Sequence, residues 1–100
     1  MEDERITVTV PQVKDLGLAI QLYYRWTEIG NEEIRRLFGV GSNTALKLKK
    51  AVWEKMVKEQ TPVWDAKKVN TEVAYQVWGL DIASMERRYE KLKKLGVLQG

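Results

Sequence analysis

The chain has 100 residues and contains neither cysteine nor histidine. Without cysteine there is no disulfide framework and no thiolate metal site. Without histidine there is no imidazole ligand for zinc, and the commonest general base is missing along with any Ser-His or Cys-His pair. Two serines and scattered carboxylates remain, and they form no recognisable catalytic constellation. The expectation is a protein that is not an enzyme and holds no metal or cofactor. No apolar run approaches the ~20 residues of a membrane span, and the acidic opening "MEDER" is unlike a signal peptide. A soluble cytoplasmic protein with no membrane partner is therefore expected.

Apolar residues make up 44% and charged residues 31%, a globular rather than a disordered balance. One hundred residues suit a single domain, 1–100, with a modest core. The net charge of +3 is small but unevenly placed. Residues 1–40 carry five basic against seven acidic side chains, whereas 41–60 carry five lysines against two glutamates. Residues 61–80 balance, and 81–100 add a further +2. Positive charge thus begins near residue 41, which points to an anionic partner more strongly than the total does.

The strongest periodicities are helical. "ITVTV" (Ile6–Val10) alternates and is β-branched, so it reads as a short strand, with 97–98 as a closing partner. Pro11 ends it and suits the first turn of a helix over Gln12–Trp26, where Val13, Leu16, Ile20, Tyr23 and Tyr24 fall at helical spacing. Within it, Gly17 weakens the helix but permits close packing. A short helix follows, with Asn31 as its cap, Glu32 and Glu33 in the first turn, and Ile34, Leu37 and Phe38 buried. Gly39 suits a left-handed helix end.

A third helix starts at Ser42 or Asn43 and runs to about Lys58, with Ala45, Leu48, Val52 and Met56 inward. Around Val63-Trp64 the connection reads as a small hairpin. A short capped helix then occupies Asn70–Gly79, and a longer one closes at Gly96. Trp26, Trp64 and Trp78 read as core aromatics rather than base-stacking platforms. Leu46, Trp53 and Val57 form a second apolar stripe, expected to be covered by the N- and C-terminal helices, with a homodimer interface as the functional alternative. A shift of forty residues lays "LFGVGSNTA" (37–45) over "VWGLDIASM" (77–85), so two helical hairpins, 31–58 and 70–96, stand as an internal repeat or as a chance likeness.

"NEEIRRLFGVGSNTALKLKK" (Asn31–Lys50) resembles the helix-turn-helix of bacterial and phage DNA-binding proteins. The matching positions are Ile34 and Phe38, the Gly39-Val40 turn, Thr44-Ala45 and Leu48. Arg35 departs from the pattern, which places a small residue there, and Gly41 replaces the usual capping serine or aspartate. Thr71–Lys94 resembles a second, diverged unit. To the mainly α fold of about five helices with a short N-terminal strand read above, the resemblance adds a tandem or winged helix-turn-helix arrangement. It also implies that the leading helix lies across the phosphates while the second enters the major groove.

With Ala45, Leu48, Val52 and Met56 inward, Ser42, Asn43, Lys47, Lys50 and Glu54 face outward. Asn43 suits adenine, Lys47 suits guanine acceptors, and Leu46 meets a thymine methyl or packs. Lys49, Lys50 and the amides at Asn31 suit phosphates. In the second unit Ala83, Glu86, Arg87 and Glu90 make a poorer reader, leaving Arg87, Arg88, Lys91 and Lys94 for flanking phosphates or simple solvation. The function expected is selective duplex-DNA binding by a small transcriptional regulator or excisionase-like factor. The alternative is a helical protein-interaction module that does not bind nucleic acid.

Overall fold

The structure is a computed structural model that describes residues 10–96. Its order is α1 (Leu16–Arg25), β1 (Glu28–Ile29), α2 (Asn31–Phe38), α3 (Ser42–Glu59), β2 (Val69–Asn70), α4 (Thr71–Trp78) and α5 (Ile82–Lys94). The protein is a small, mainly helical domain. Among the described residues, one two-stranded antiparallel ladder pairs Glu28 with Asn70 and Ile29 with Val69.

α3 is the central element. Ala45, Leu48, Val52 and Met56 are each at most 1% exposed along one flank. α2, α4 and β2 pack on that flank. Two hydrogen bonds fix the second half of the chain to it: Trp78 Nε1–H donates to the Leu48 carbonyl at 3.2 Å, and the Asn70 N–H points at Met56 Sδ at 3.3 Å. Phe38 and Trp78 meet edge to face, with centroids 5.2 Å apart. α1 closes the far side through Ala19 and Leu22, and Tyr75 donates its hydroxyl to the Ala19 carbonyl.

Several boundaries differ from the sequence reading. α1 starts at Leu16 rather than after Pro11, because the Asp15 side chain accepts the Leu18 N–H at 3.0 Å and caps the helix there. α2 is capped by Gly30 instead of Asn31, and the Glu33 carboxylate reaches back to the Gly30 N–H at 2.8 Å. The stretch around Val63-Trp64 is not a hairpin: the Glu28 carboxylate accepts the N–H groups of Trp64 and Asp65 and holds it as an irregular turn. The ladder forms instead between β1 and β2. The expected strand at Ile6–Val10 lies outside the described residues except for Val10, which is in no strand, and 97–98 lie outside them too.

The forty-residue shift holds at the corners. Gly39 and Gly79 both end their helices in the left-handed region, at φ 67° and 71°. The Arg35 carbonyl accepts from Gly39 and Val40, and the Tyr75 carbonyl accepts from Leu80 in the matching place. α3 and α5 begin three residues past these glycines, at Ser42 and Ile82. The packing differs: α3 folds back on α2, whereas α5 leaves α4 and lies against α1.

Alanine at Gly39 or Gly79 loses roughly 1–2 kcal/mol to the left-handed backbone. Gly39→Ala loses more, because its methyl would stand 2.9 Å from Lys14 Cγ while Gly79 faces open space; urea midpoints should rank wild type above Gly79→Ala above Gly39→Ala. Burial also raises the Tyr75 phenol above its ordinary value of 10.0, so the fold favours the neutral form. That contribution is complete below pH 10 and is lost as pH climbs past it. Tyr75→Phe should therefore flatten the fall in stability above pH 10 seen by circular dichroism.

Candidate nucleic-acid interface

The exposed side of α3 carries two lanes. Asn43, Lys47, Lys50, Glu54 and Lys58 recur at three- and four-residue steps, so they lie one above another on the helix face farthest from the core, and all are exposed. Beside them run Ser42, Leu46, Trp53 and Val57, also exposed. Ser42, Asn43, Leu46, Lys47 and Lys50 thus come together on the first three turns. Glu54 is the one acidic side chain in the polar lane.

The start of α3 differs from the other helix starts. Asp15, Asn70 and Asp81 each accept a backbone N–H at the heads of α1, α4 and α5, and Glu33 serves α2. α3 is preceded by Gly41, which has no side chain to offer, and its first turn holds no acidic residue. Its leading N–H groups and the positive end of its dipole therefore face outward beside Ser42 and Asn43. A backbone anion is the natural complement to that end.

Lys49 and Asn31 lie apart from this set. Lys49 is half-buried and donates through Nζ to the Lys67 carbonyl at 3.1 Å, which turns its charge toward the β2 approach. Asn31 is also half-buried, with Oδ1 enclosed and unpaired, and the head of α2 already bears the Glu33 carboxylate on the Gly30 N–H. A phosphate there would meet that negative charge. Arg35, the departure from the motif, is exposed, so its bulk stays out of the α2–α3 contact.

α5 presents Arg87, Arg88, Lys91 and Lys94, all exposed, but its face is partly committed. Arg87 Nη2 donates to Ser84 Oγ at 3.2 Å, and Ser84 donates to Asp81 Oδ2 at 2.9 Å. Glu86 Oε2 accepts the Tyr24 hydroxyl at 2.7 Å, an acceptor that raises the phenol above its ordinary 10.0. Only Met85 of this helix is fully buried.

Two of the aromatics and the second apolar stripe lie elsewhere than the sequence suggests. Trp78 is core at 4% exposure, but Trp26 and Trp64 stand 55% and 81% exposed. The Leu46, Trp53 and Val57 stripe is not covered by the terminal helices, because α1 and α5 pack on each other instead. Spacing alone revealed the stripe, but could not say which of two adjacent apolar flanks the rest of the chain would take. The bare head of α3 was visible only as a glycine before the helix. Among the described residues, no helix is long and apolar enough to cross a membrane.

No protein-family model, curated protein or solved structure matches the chain.

Three of four tryptophans are exposed to a third or more, so iodide should quench most of the emission. Trp64→Phe should remove the most readily quenched component, and Trp78→Phe should raise the quenchable fraction.

Proposed function

We propose that the chain binds duplex DNA selectively, with α2, the Gly39 corner and α3 acting as a helix-turn-helix and α3 entering the major groove. The observation that carries this reading is the conjunction at the head of α3: open N–H groups, Ser42 and Asn43 beside them, and Lys47 and Lys50 on the same exposed face. Asn43 offers the paired donor and acceptor that adenine requires, Lys47 reaches guanine acceptors, and Leu46 supplies an apolar contact for a thymine methyl. Lys50 and the helix amides hold phosphates. Lys49 enters only by releasing the Lys67 carbonyl, and it contributes less than Lys50. Arg87, Arg88, Lys91 and Lys94 supply a sequence-independent fringe on α5; Asn31 takes no part.

Such a protein acts in the cytoplasm as a small transcriptional regulator or excisionase-like factor, as a monomer or a homodimer. The second reading, a helical protein-interaction module, draws its support from the exposed Leu46, Trp53 and Val57.

Salt separates the two. Counterion release makes DNA affinity fall steeply between low and moderate salt, while an apolar interface changes little. In fluorescence anisotropy with duplexes selected from a random pool, Lys50→Ala should weaken all sequences alike and reduce the salt slope by about one. Asn43→Ala should instead relax preference at one base pair by ~1–3 kcal/mol. Absence of duplex binding at low salt would sink the proposal.

A further inference from the structure

Leu46, Trp53 and Val57 are 44%, 39% and 60% exposed on the longest helix of the fold. The second corner shows what such a flank accepts. Forty positions on from Leu46 and Lys49 stand Glu86 and Tyr89, and both lie against α1. Tyr24 donates to Glu86, and a methyl at Gly17 would touch the Tyr89 ring at 3.4 Å. The helix after the second corner is therefore covered by another helix along the flank that α3 leaves open. Positions 56–65, forty on from α1, hold only the last turn of α3 and an irregular stretch through Pro62. Within the described residues the chain has no second helix of this kind to lay on α3.

The open flank is complementary to itself. In an antiparallel pair of α3 helices centred near Val52, Leu46 stands opposite the second copy's Val57. Lys50 stands opposite the second copy's Glu54, twice over by symmetry, and Trp53 packs across the axis. Opposite charges then flank an apolar centre, the arrangement that sets register in helix pairs. A foreign helix would need both features supplied separately; a second copy brings them together.

We propose that α3 pairs antiparallel with α3 of a second copy along this stripe, and that pairing and DNA reading exclude each other. The second clause rests on the DNA-binding reading above, because Leu46 and Lys50 belong to both surfaces. Self-association thereby sets how much of the protein is free to bind.

Sedimentation of the full chain across a concentration series, without DNA, tests the pairing by itself. A reversible dimer is expected. Trp53→Ser and Glu54→Lys should each weaken it roughly tenfold or more, with helical content unchanged by circular dichroism, and Lys50→Glu with Glu54→Lys together should recover it. A monomer at every concentration, or a dimer indifferent to all three changes, would overturn the pairing. Addition of a random-sequence duplex pool at low salt should drain the dimer into one-chain complexes, and Trp53→Ser should bind the pool at least as well as wild type. A dimer that persists on the duplex overturns the exclusion. Failure to bind any duplex overturns the exclusion and the DNA reading together, while the DNA-free measurement still decides the pairing.

Discussion

Burial of one flank of α3 is the constraint on which the rest of the structure depends. Ala45, Leu48, Val52 and Met56 are sealed at 1% exposure or less; α2, α4 and β2 pack on this helix, and β1 is held in turn by β2 and α2. The Trp78 indole donates to the Leu48 carbonyl, which fastens α4 across the helix. β2 reaches the same flank at Met56, and its pairing with β1 ties the two halves of the chain. A helix anchored so firmly on one side has its other side defined by subtraction. That is why the polar lane through Asn43, Lys47 and Lys50 faces solvent in a single register.

The two corners show how far local chemistry reaches. Glycine at 39 and 79 takes the same left-handed geometry; α2 and α4 span matching positions, and α3 and α5 start at matching positions. Local chemistry stops there. Leu48 faces the core, but the residue forty positions on is the exposed Arg88, so α5 lacks the flank that folds α3 back. α5 turns to α1 instead, through Tyr24 with Glu86 and Gly17 with Tyr89. Equal turns with unequal inward residues thus yield one closed hairpin and one open one.

This inequality bears on the proposed activity. The face that would read bases on α5 carries Ala83, Glu86 and Glu90 where α3 carries Asn43, Leu46 and Lys50, and Glu86 is already bonded to Tyr24. Carboxylates facing phosphates repel, so base reading is proposed for α3 alone, with α5 contributing charge at its edge. The same inequality leaves the flank of α3 uncovered, so one feature underlies both proposals.

The sequence by itself determined the helices, their glycine corners and the inward stripes. These depend on spacing at three and four residues and on the left-handed conformation that glycine tolerates, all of them local. It also made Ser42, Asn43, Lys47 and Lys50 legible as an outward set, because the inward stripe of α3 leaves them no other direction. Only the tertiary structure decided what covers what. Leu46, Trp53 and Val57 look as apolar as the buried stripe beside them, and their exposure follows from α1 choosing α5, a choice made between elements some sixty residues apart. Trp26 and Trp64 are exposed although hydrophobicity alone suggests burial, and Lys49, expected at a phosphate, is turned to the Lys67 carbonyl. Periodicity states which residues share a face; which faces meet depends on long-range packing, where two flanks of similar hydrophobicity compete for one core.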